Sequence, residues 1–362
     1  MASARVPPAW MLRPLIATRN GLARLHRAMV PPEVALLEAS MGVIDTKTLN
    51  VVAELGIADL LADGPKTAEE LAASCGADPD ALHRILRYLV GRGFFARARG
   101  GRFTNNRRSK LLRETPDAAR AWARFFGSDW HVSAWNRLDV SARTGSAAAE
   151  AALGRPFWDY LTTEDPDAGA VFDAAMAAVS SVQMNVIARK YPWSECRRIC
   201  DVAGGTGTLL SAILARHRDL NGVLFDLPSV VAKARPVLDA AGVAGRVEVV
   251  GGDFFEAVPA GCDRYLFQAI VHDWDDESCI KFLSNCRNAM APSGRILVLE
   301  ATLPTGDGDH FTKALDLEML VDTGAGRERT RAEFADLFAR AGLRVRKVIP
   351  IALTSLFELE PV

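Results

Sequence analysis

Asp201, Asp226, Asp253, His272 and Glu300 each stand at or just past the end of a short apolar run. Carboxylates and an imidazole are the side chains that grip a ribose hydroxyl or move a proton near neutral pH. Just past Asp201 lies a glycine cluster, Gly204, Gly205 and Gly207, in the run D-V-A-G-G-T-G. Glycines let the backbone take positive φ and approach a ligand closely. A helix starting near Thr208 then points its first N–H groups at the same spot. Asp226, at the tip of the next apolar run, is placed to accept from a ribose diol. Asp253 repeats that logic and is placed to accept from an adenine amino group, with Phe254 against the ring. These positions read as the seat of a nucleoside-bearing cofactor. A dinucleotide is disfavoured, because Leu210 occupies the third glycine of the G-x-G-x-x-G fingerprint and Asp201 suits a cationic ligand better than a pyrophosphate. His272, closing the run that starts at Tyr265, is the candidate general base. Glu300 and Glu328 are candidates to hold its imidazole in the productive tautomer.

Seven strands are needed to carry these groups: 198–203, 222–226, 246–250, 265–271, 294–299, 343–349 and 355–360. They alternate with helical patterns and finish in a hairpin-like pair, which predicts a doubly wound α/β sheet. Leu209, Leu210, Ile213 and Leu214 form one face of the first helix, and a second helix runs from Pro228 to about Ala241. Asp273, Asp275, Asp276 and Glu277 read as acids at a helix start, where the dipole favours them. Thr330 and Glu333 spell a capping box.

The first half of the chain has a different texture. Residues 1–42 are punctuated by proline and read as an N-terminal helical arm. Five arginines and no acid in the first 32 residues fit an arm used in packing better than a transit peptide, since serine is scarce. Thr67 and Glu70 form a capping box, Asp78-Pro79 opens a helix carrying Leu82, Ile85, Leu86 and Leu89, and Gly100-Gly101 lies in a hairpin signal. Three helices and a hairpin over 43–113 predict a winged helix. Ten basic side chains and no acid between Arg84 and Arg113 have the footprint of a phosphate binder. A DNA-binding regulator with a ligand-sensing second domain is therefore the alternative function. Residues 114–190 read as helices holding most of the aromatics, Phe126 and Trp130 among them, with Met176 and Met184. They suit a pocket for a flat apolar compound, to which Met319 and Thr323 are expected to contribute. His131 reads as a surface or satisfied histidine.

With 24% charged residues and a net charge of −1, nothing global calls for a polyanionic partner. Six cysteines without a C-x-x-C pair argue for reduced thiols in a cytoplasmic protein, and against zinc or disulfides. No apolar run is long enough to span a membrane.

Four motifs coincide: D-V-A-G-G-T-G, F-D-L-P, G-D-F-F and H-D-W-D-D-E, followed by G-R-E-R-T. Together they resemble the class I O-methyltransferases of the caffeic acid and acetylserotonin type, over roughly residues 43–362. The resemblance implies a Rossmann-like methyltransferase sheet over 191–362, preceded by a winged-helix domain used for dimerisation rather than for nucleic acid. It implies S-adenosylmethionine as cofactor, no metal, a homodimer, and a small, mostly aromatic hydroxyl compound as acceptor. By position, Ala203, Gly204, Gly205 and Gly207 would hold the methionine part and ribose. Asp226 would take the ribose hydroxyls, Asp253 and Phe254 the adenine, and Gln268 would lie near the cofactor. His272 matches the catalytic base, and Glu300 and Glu328 the flanking acids. Ala203 stands at the pattern's first glycine, where a methyl group calls for ordinary backbone angles. Gln268 replaces a common Lys or Ser, and Ala269 an arginine frequent in bacterial relatives.

Overall fold

The computed structural model describes residues 9–115, 119–351 and 354–362. It divides into two bodies: one of Leu15–Arg137 and Ala149–Ser181, and one built from Leu138–Ala148 and Val182–Val362.

The first body is helical. Gly42–Glu54, Ile57–Leu60, Ala68–Cys75 and Pro79–Gly91 surround a core that includes Val52, Ile57, Leu71, Leu82, Leu86 and Leu89. Both expected starts form: Thr67 and Glu70 make the reciprocal capping box, and Asp78 caps the helix that Pro79 opens. Strands β1 (Ala96–Arg97) and β2 (Phe103–Thr104) pair antiparallel and seal the core with Phe95 and Phe103. Part of the basic run is consumed inside this body. Arg92 pairs with Asp45, Arg102 with Glu70 and Arg113 with Asp59, while Arg97 lies over the Phe103 ring. N-terminal to this core, Ala9–Met29 and Pro32–Ser40 are helices. Arg120–Gly127, Asp129–Trp135 and the start of Pro166–Lys190 carry the aromatics.

The second body is a seven-stranded sheet. Its strands are β3 (Arg198–Val202), β4 (Asn221–Asp226), β5 (Val247–Gly251), β6 (Arg264–Gln268), β7 (Arg295–Ala301), β8 (Leu343–Ile351) and β9 (Thr354–Pro361), in the order β5-β4-β3-β6-β7-β9-β8. The first five in that order are parallel, and β9 inserts antiparallel between β7 and β8. Apolar residues alternate between two buried clusters. Ile199, Leu224, Leu266 and Leu297 point into one, and Cys200, Val223, Tyr265 and Ile296 into the other. A sheet covered on both faces needs such near-continuous apolar runs. The strand order reverses between β3 and β6, and open α/β sheets bind their ligands at the carboxyl ends beside such a switch point.

Most strand ends differ from the expected ones by a residue or two, and three differences are conformational. β6 ends at Gln268 rather than at residue 271, because Ala269 takes a left-handed conformation (φ 54°) and Val271–Asp273 is a single 3₁₀ turn. β3 ends at Val202 for the same reason, with Ala203 at φ 55°. The helix expected from Pro228 to Ala241 is two short ones, Pro228–Val231 and Arg235–Ala240. Among the described residues no helix is long and apolar enough to cross a membrane.

Candidate active site

The glycine loop is built where β3 stops. Ala203, Gly205 and Gly207 all have positive φ, and Gly207 leads into the helix Thr208–Arg216. Ala203 thus adopts a glycine-like backbone despite its methyl group, so the ordinary angles that a methyl group calls for are not met there. An alanine held there costs on the order of 1–2 kcal/mol. Gly204 has a different reason to be glycine: a Cβ would meet the Asp201 carboxyl carbon and Leu224 Cδ1, each at 2.7 Å. A Cβ on Gly205 would meet only open space.

Two carboxylates frame this loop. Asp226, the last residue of β4, accepts from the Gly205 N–H at 2.8 Å and the Leu227 N–H at 2.7 Å. Asp201 is buried at 2% exposure, and its Oδ2 has no hydrogen-bond partner. Burial pushes its carboxyl up to about 7. Asp253 lies two residues past β5, exposed, and accepts the Phe255 N–H at 2.8 Å in an Asx turn. The Phe254 ring packs at 4.7 to 6.0 Å from Phe255, Phe282 and Trp274.

The 3₁₀ turn after β6 delivers His272. Its Nδ1 lies 3.1 Å from Glu328 Oε1 and 3.4 Å from Glu300 Oε2, while Nε2 lies 3.5 Å from Asp273 Oδ1. Glu300 projects from β7, and its other oxygen accepts the Ile270 and Val271 N–H groups at 3.0 and 2.8 Å. Glu328 donates its own N–H to Asp316. Both glutamates are buried; Glu328 Oε2 has no hydrogen-bond partner, and Glu300 Oε2 has only its ion pair with His272 Nδ1. Burial disfavours the imidazolium, but Glu300, Asp273 and Glu328 outweigh it and raise His272 to about 10. Burial raises Glu300 to about 7 and Asp273 to about 6. Two carboxylates on Nδ1 place the ring proton there and leave Nε2 as the basic nitrogen.

Sequence reasoning missed two residues here. Asp273 was grouped with the acids of a helix start. Asp275 is the actual N-cap, Asp276 pairs with Arg329 and Arg340, and Asp273 instead faces His272. Arg329 is 1% exposed and bonds the carbonyls of Val271 and Trp274. Its place in a mixed-charge run gave no signal of burial.

The six expected pocket residues fall in different bodies. Phe126, Trp130 and Met176 belong to the helical body. There Phe126 and Trp130 join a cluster around Phe125 with ring centroids 4.8 and 5.5 Å away, and Met176 is half-buried. His131 is buried in the same cluster rather than on the surface, with Nδ1 3.3 Å from the Phe126 carbonyl. Met184, Met319 and Thr323 belong to the sheet body. Met184 is buried in one of its apolar cores, Met319 is half-buried, and the Thr323 hydroxyl donates to the Met319 carbonyl while accepting the Gly326 N–H.

Comparison with known proteins gives this geometry a family. Residues 135–344 match the O-methyltransferase domain, and residues 37–115 the O-methyltransferase dimerisation domain. The chain belongs to the O-methyltransferase family. The enzyme is 40% identical to the phenazine O-methyltransferase PhzM of Lysobacter antibioticus, over 92% of this chain and 97% of that one. It is 39% identical to a 2,7-dihydroxy-5-methyl-1-naphthoate 7-O-methyltransferase of Streptomyces carzinostaticus, over 86% and 93% of the respective chains. The solved structure of NcsB1, an O-methyltransferase from neocarzinostatin biosynthesis, in complex with S-adenosylmethionine and 2-hydroxy-5-methyl naphthoic acid, superposes with a TM-score of 0.77 at 36% identity, covering 88% of this chain and 96% of that one. The protein is an S-adenosylmethionine-dependent O-methyltransferase, and no finding favours a DNA-binding regulator.

Proposed function

We propose that His272 is the general base of this enzyme and that the acceptor is a hydroxyl on a small fused-ring aromatic compound. The observation that carries the assignment is the seating of His272: Nδ1 against two buried glutamates, Nε2 turned away from them, beside the glycine loop of the same sheet edge.

The residues present fit the cofactor. The partnerless, buried Asp201 oxygen suits the cationic methionine end, and the opening at Gly205 admits a ligand against the backbone. Ala203, Gly204, Gly205 and Gly207 would line the methionine and ribose, Asp226 would accept from the ribose hydroxyls, and Asp253, Phe254 and Gln268 would flank the remainder. When bound, S-adenosylmethionine supplies an electrophilic methyl group on a sulfonium. The chain's own work is the proton. His272 Nε2 accepts it from the acceptor hydroxyl, and Glu300 and Glu328 stabilise the imidazolium that results. Most of the remaining acceleration comes from holding the reacting atoms in line and excluding water.

Support for the acceptor class comes from the aromatic cluster around Phe125, Phe126 and Trp130, and from relatives whose names specify phenazine and naphthoate acceptors. Met176 belongs to the same helical body as that cluster and is proposed to bind the acceptor with it. The enzyme works as a homodimer in this proposal. Leu22, Leu25, Met29, Leu36 and Leu37 are 56 to 71% exposed, and apolar surface of that kind marks an interface. The six cysteines are free thiols, in keeping with a cytoplasmic enzyme.

Calorimetry with S-adenosylhomocysteine alongside turnover of a phenolic acceptor tests the assignment. The expected result is that His272→Ala retains the product's affinity and loses most turnover, on the order of 10²–10⁴-fold, whereas Asp226→Ala loses the affinity. Unchanged turnover in His272→Ala would remove the general-base role.

A further inference from the structure

The turn that carries His272 has no strand or helix to hold it. Ala269 leaves the sheet at φ 54°, and Ile270 to Trp274 run through one 3₁₀ turn. Its backbone groups must find partners elsewhere. Glu300 takes the N–H groups of Ile270 and Val271. Two of its carbonyls go to Arg329, which donates Nη1 to Val271 O and Nη2 to Trp274 O, each at 2.9 Å, and the Cys279 thiol adds longer contacts to the same two at 3.3 and 3.7 Å. Those two carbonyls bracket His272 and Asp273. The far edge of the guanidinium is anchored on Asp276 Oδ1, with Nε at 3.1 Å and Nη2 at 2.8 Å.

We propose that Arg329 is the positioning residue of the active site, a clamp that fixes the backbone on both sides of His272 so that its ring meets Glu328 and Glu300. Several observations point the same way. Arg329 is 1% exposed, and a buried guanidinium is retained only where its donors are used. Its neighbours in sequence grip the same turn: the Arg327 N–H donates to the His272 carbonyl at 2.8 Å, and the Glu328 carboxylate meets Nδ1. Three consecutive residues therefore hold one histidine by its backbone and its ring. Lysine does not substitute, because a single ammonium lacks the planar fork that spans two carbonyls and a carboxylate at once.

The inference rests on His272 being the base, so its test is read out on the histidine itself as well as on turnover. Arg329→Lys is compared with the parent enzyme by ring NMR titration, the His272 signals being assigned by their absence in His272→Ala. Product affinity by calorimetry and the split of kcat from KM are measured in parallel. With the clamp gone, the ring moves away from Glu300, Glu328 and Asp273. Its titration should then shift to lower pH, and kcat should fall on the order of 10²-fold, the typical effect of about 1 Å of misplacement. Affinity for S-adenosylhomocysteine should hold within about twofold, because the glycine loop and Asp226 lie on other strand ends and Gln268 is held in the β6 ladder. An unmoved His272 titration in folded Arg329→Lys would overturn the clamp, as would losses of kcat and product affinity in equal proportion. Should Arg329→Lys fail to fold, Asp276→Asn decides by the same titration, since it loosens the far edge of the guanidinium and otherwise touches only the half-exposed Arg340 pair. A downward shift supports the clamp, and no shift refutes it. A shifted titration with unchanged turnover in His272→Ala would keep the clamp and discard the base.

Discussion

Replacing Asp273 by asparagine should move the alkaline rise of activity towards neutral pH. The carboxylate lies 3.5 Å from His272 Nε2, the nitrogen assigned to catalysis. At an effective dielectric near 20, an ion pair at that distance is worth at most ~4–5 kcal/mol, and opposite charges so close typically shift a pKa by about 1–3 units. The sign follows directly. The parent His272 is raised to about 10 by its three carboxylates against the opposing effect of burial, so the basic imidazole accumulates only as the pH climbs. Asparagine keeps the shape and removes one of the three charges. The imidazolium loses stabilisation, and the rising limb of kcat/KM should move down by roughly 1–3 pH units. The plateau should fall, because a less basic imidazole draws the proton less strongly. Below about 6, where Asp273 is itself protonated, the two proteins should converge. Initial rates at saturating cofactor with one acceptor across neutral and alkaline pH measure this, and the acceptor's own ionisation cancels between the two profiles. A limb that stays in place or moves up would show that Asp273 does not act on Nε2 in solution.

Two further outcomes follow from the geometry. Gly204→Ala puts a methyl group 2.7 Å from the Asp201 carboxyl carbon and from Leu224; it should cost roughly 1–3 kcal/mol of stability by overpacking and weaken binding of S-adenosylhomocysteine, read by thermal melts and calorimetry. Leu25→Glu with Leu36→Glu, at positions 56 and 71% exposed, should dissociate the proposed homodimer in sedimentation with little change in melting of the helical body, and undiminished self-association would place the interface elsewhere.

Much of the sheet was legible because its central strands, buried on both faces, read as apolar runs that stop at or near a polar residue. Asp226, His272 and Glu300 were found that way, and Glu328 by its place before a capping box that forms as expected. The structure brings His272, Glu300 and Glu328 together within hydrogen-bond or ion-pair distance. What was hidden is conformational. Ala269, Ile270 and Val271 are as compatible with a strand as the residues before them, so nothing in their types announced that the ladder stops at Gln268. Without that turn, Asp273 could not be told from Asp275 and Asp276, which do serve the following helix. The left-handed backbone at Ala203 and Ala269 was equally silent, because alanine is the wrong residue from which to expect it. Met184 reads as a pocket residue, but it is buried in an apolar core, where a methionine also serves as ordinary packing.

The placement of β9 bears on how the enzyme is made. Glu300 sits on β7, and its register partner is Ser355 on β9, which lies between β7 and β8 although it is synthesised after both. While a nascent chain grows, β7 is left with one row of N–H and C=O groups open, and open strand edges recruit foreign strands. The strand that carries Glu300 is therefore a vulnerable edge during synthesis, closed only when residues 354–361 thread in beside it. A slow or faulty insertion of that segment would yield a chain with an intact cofactor loop, an unsupported base and a tendency to aggregate.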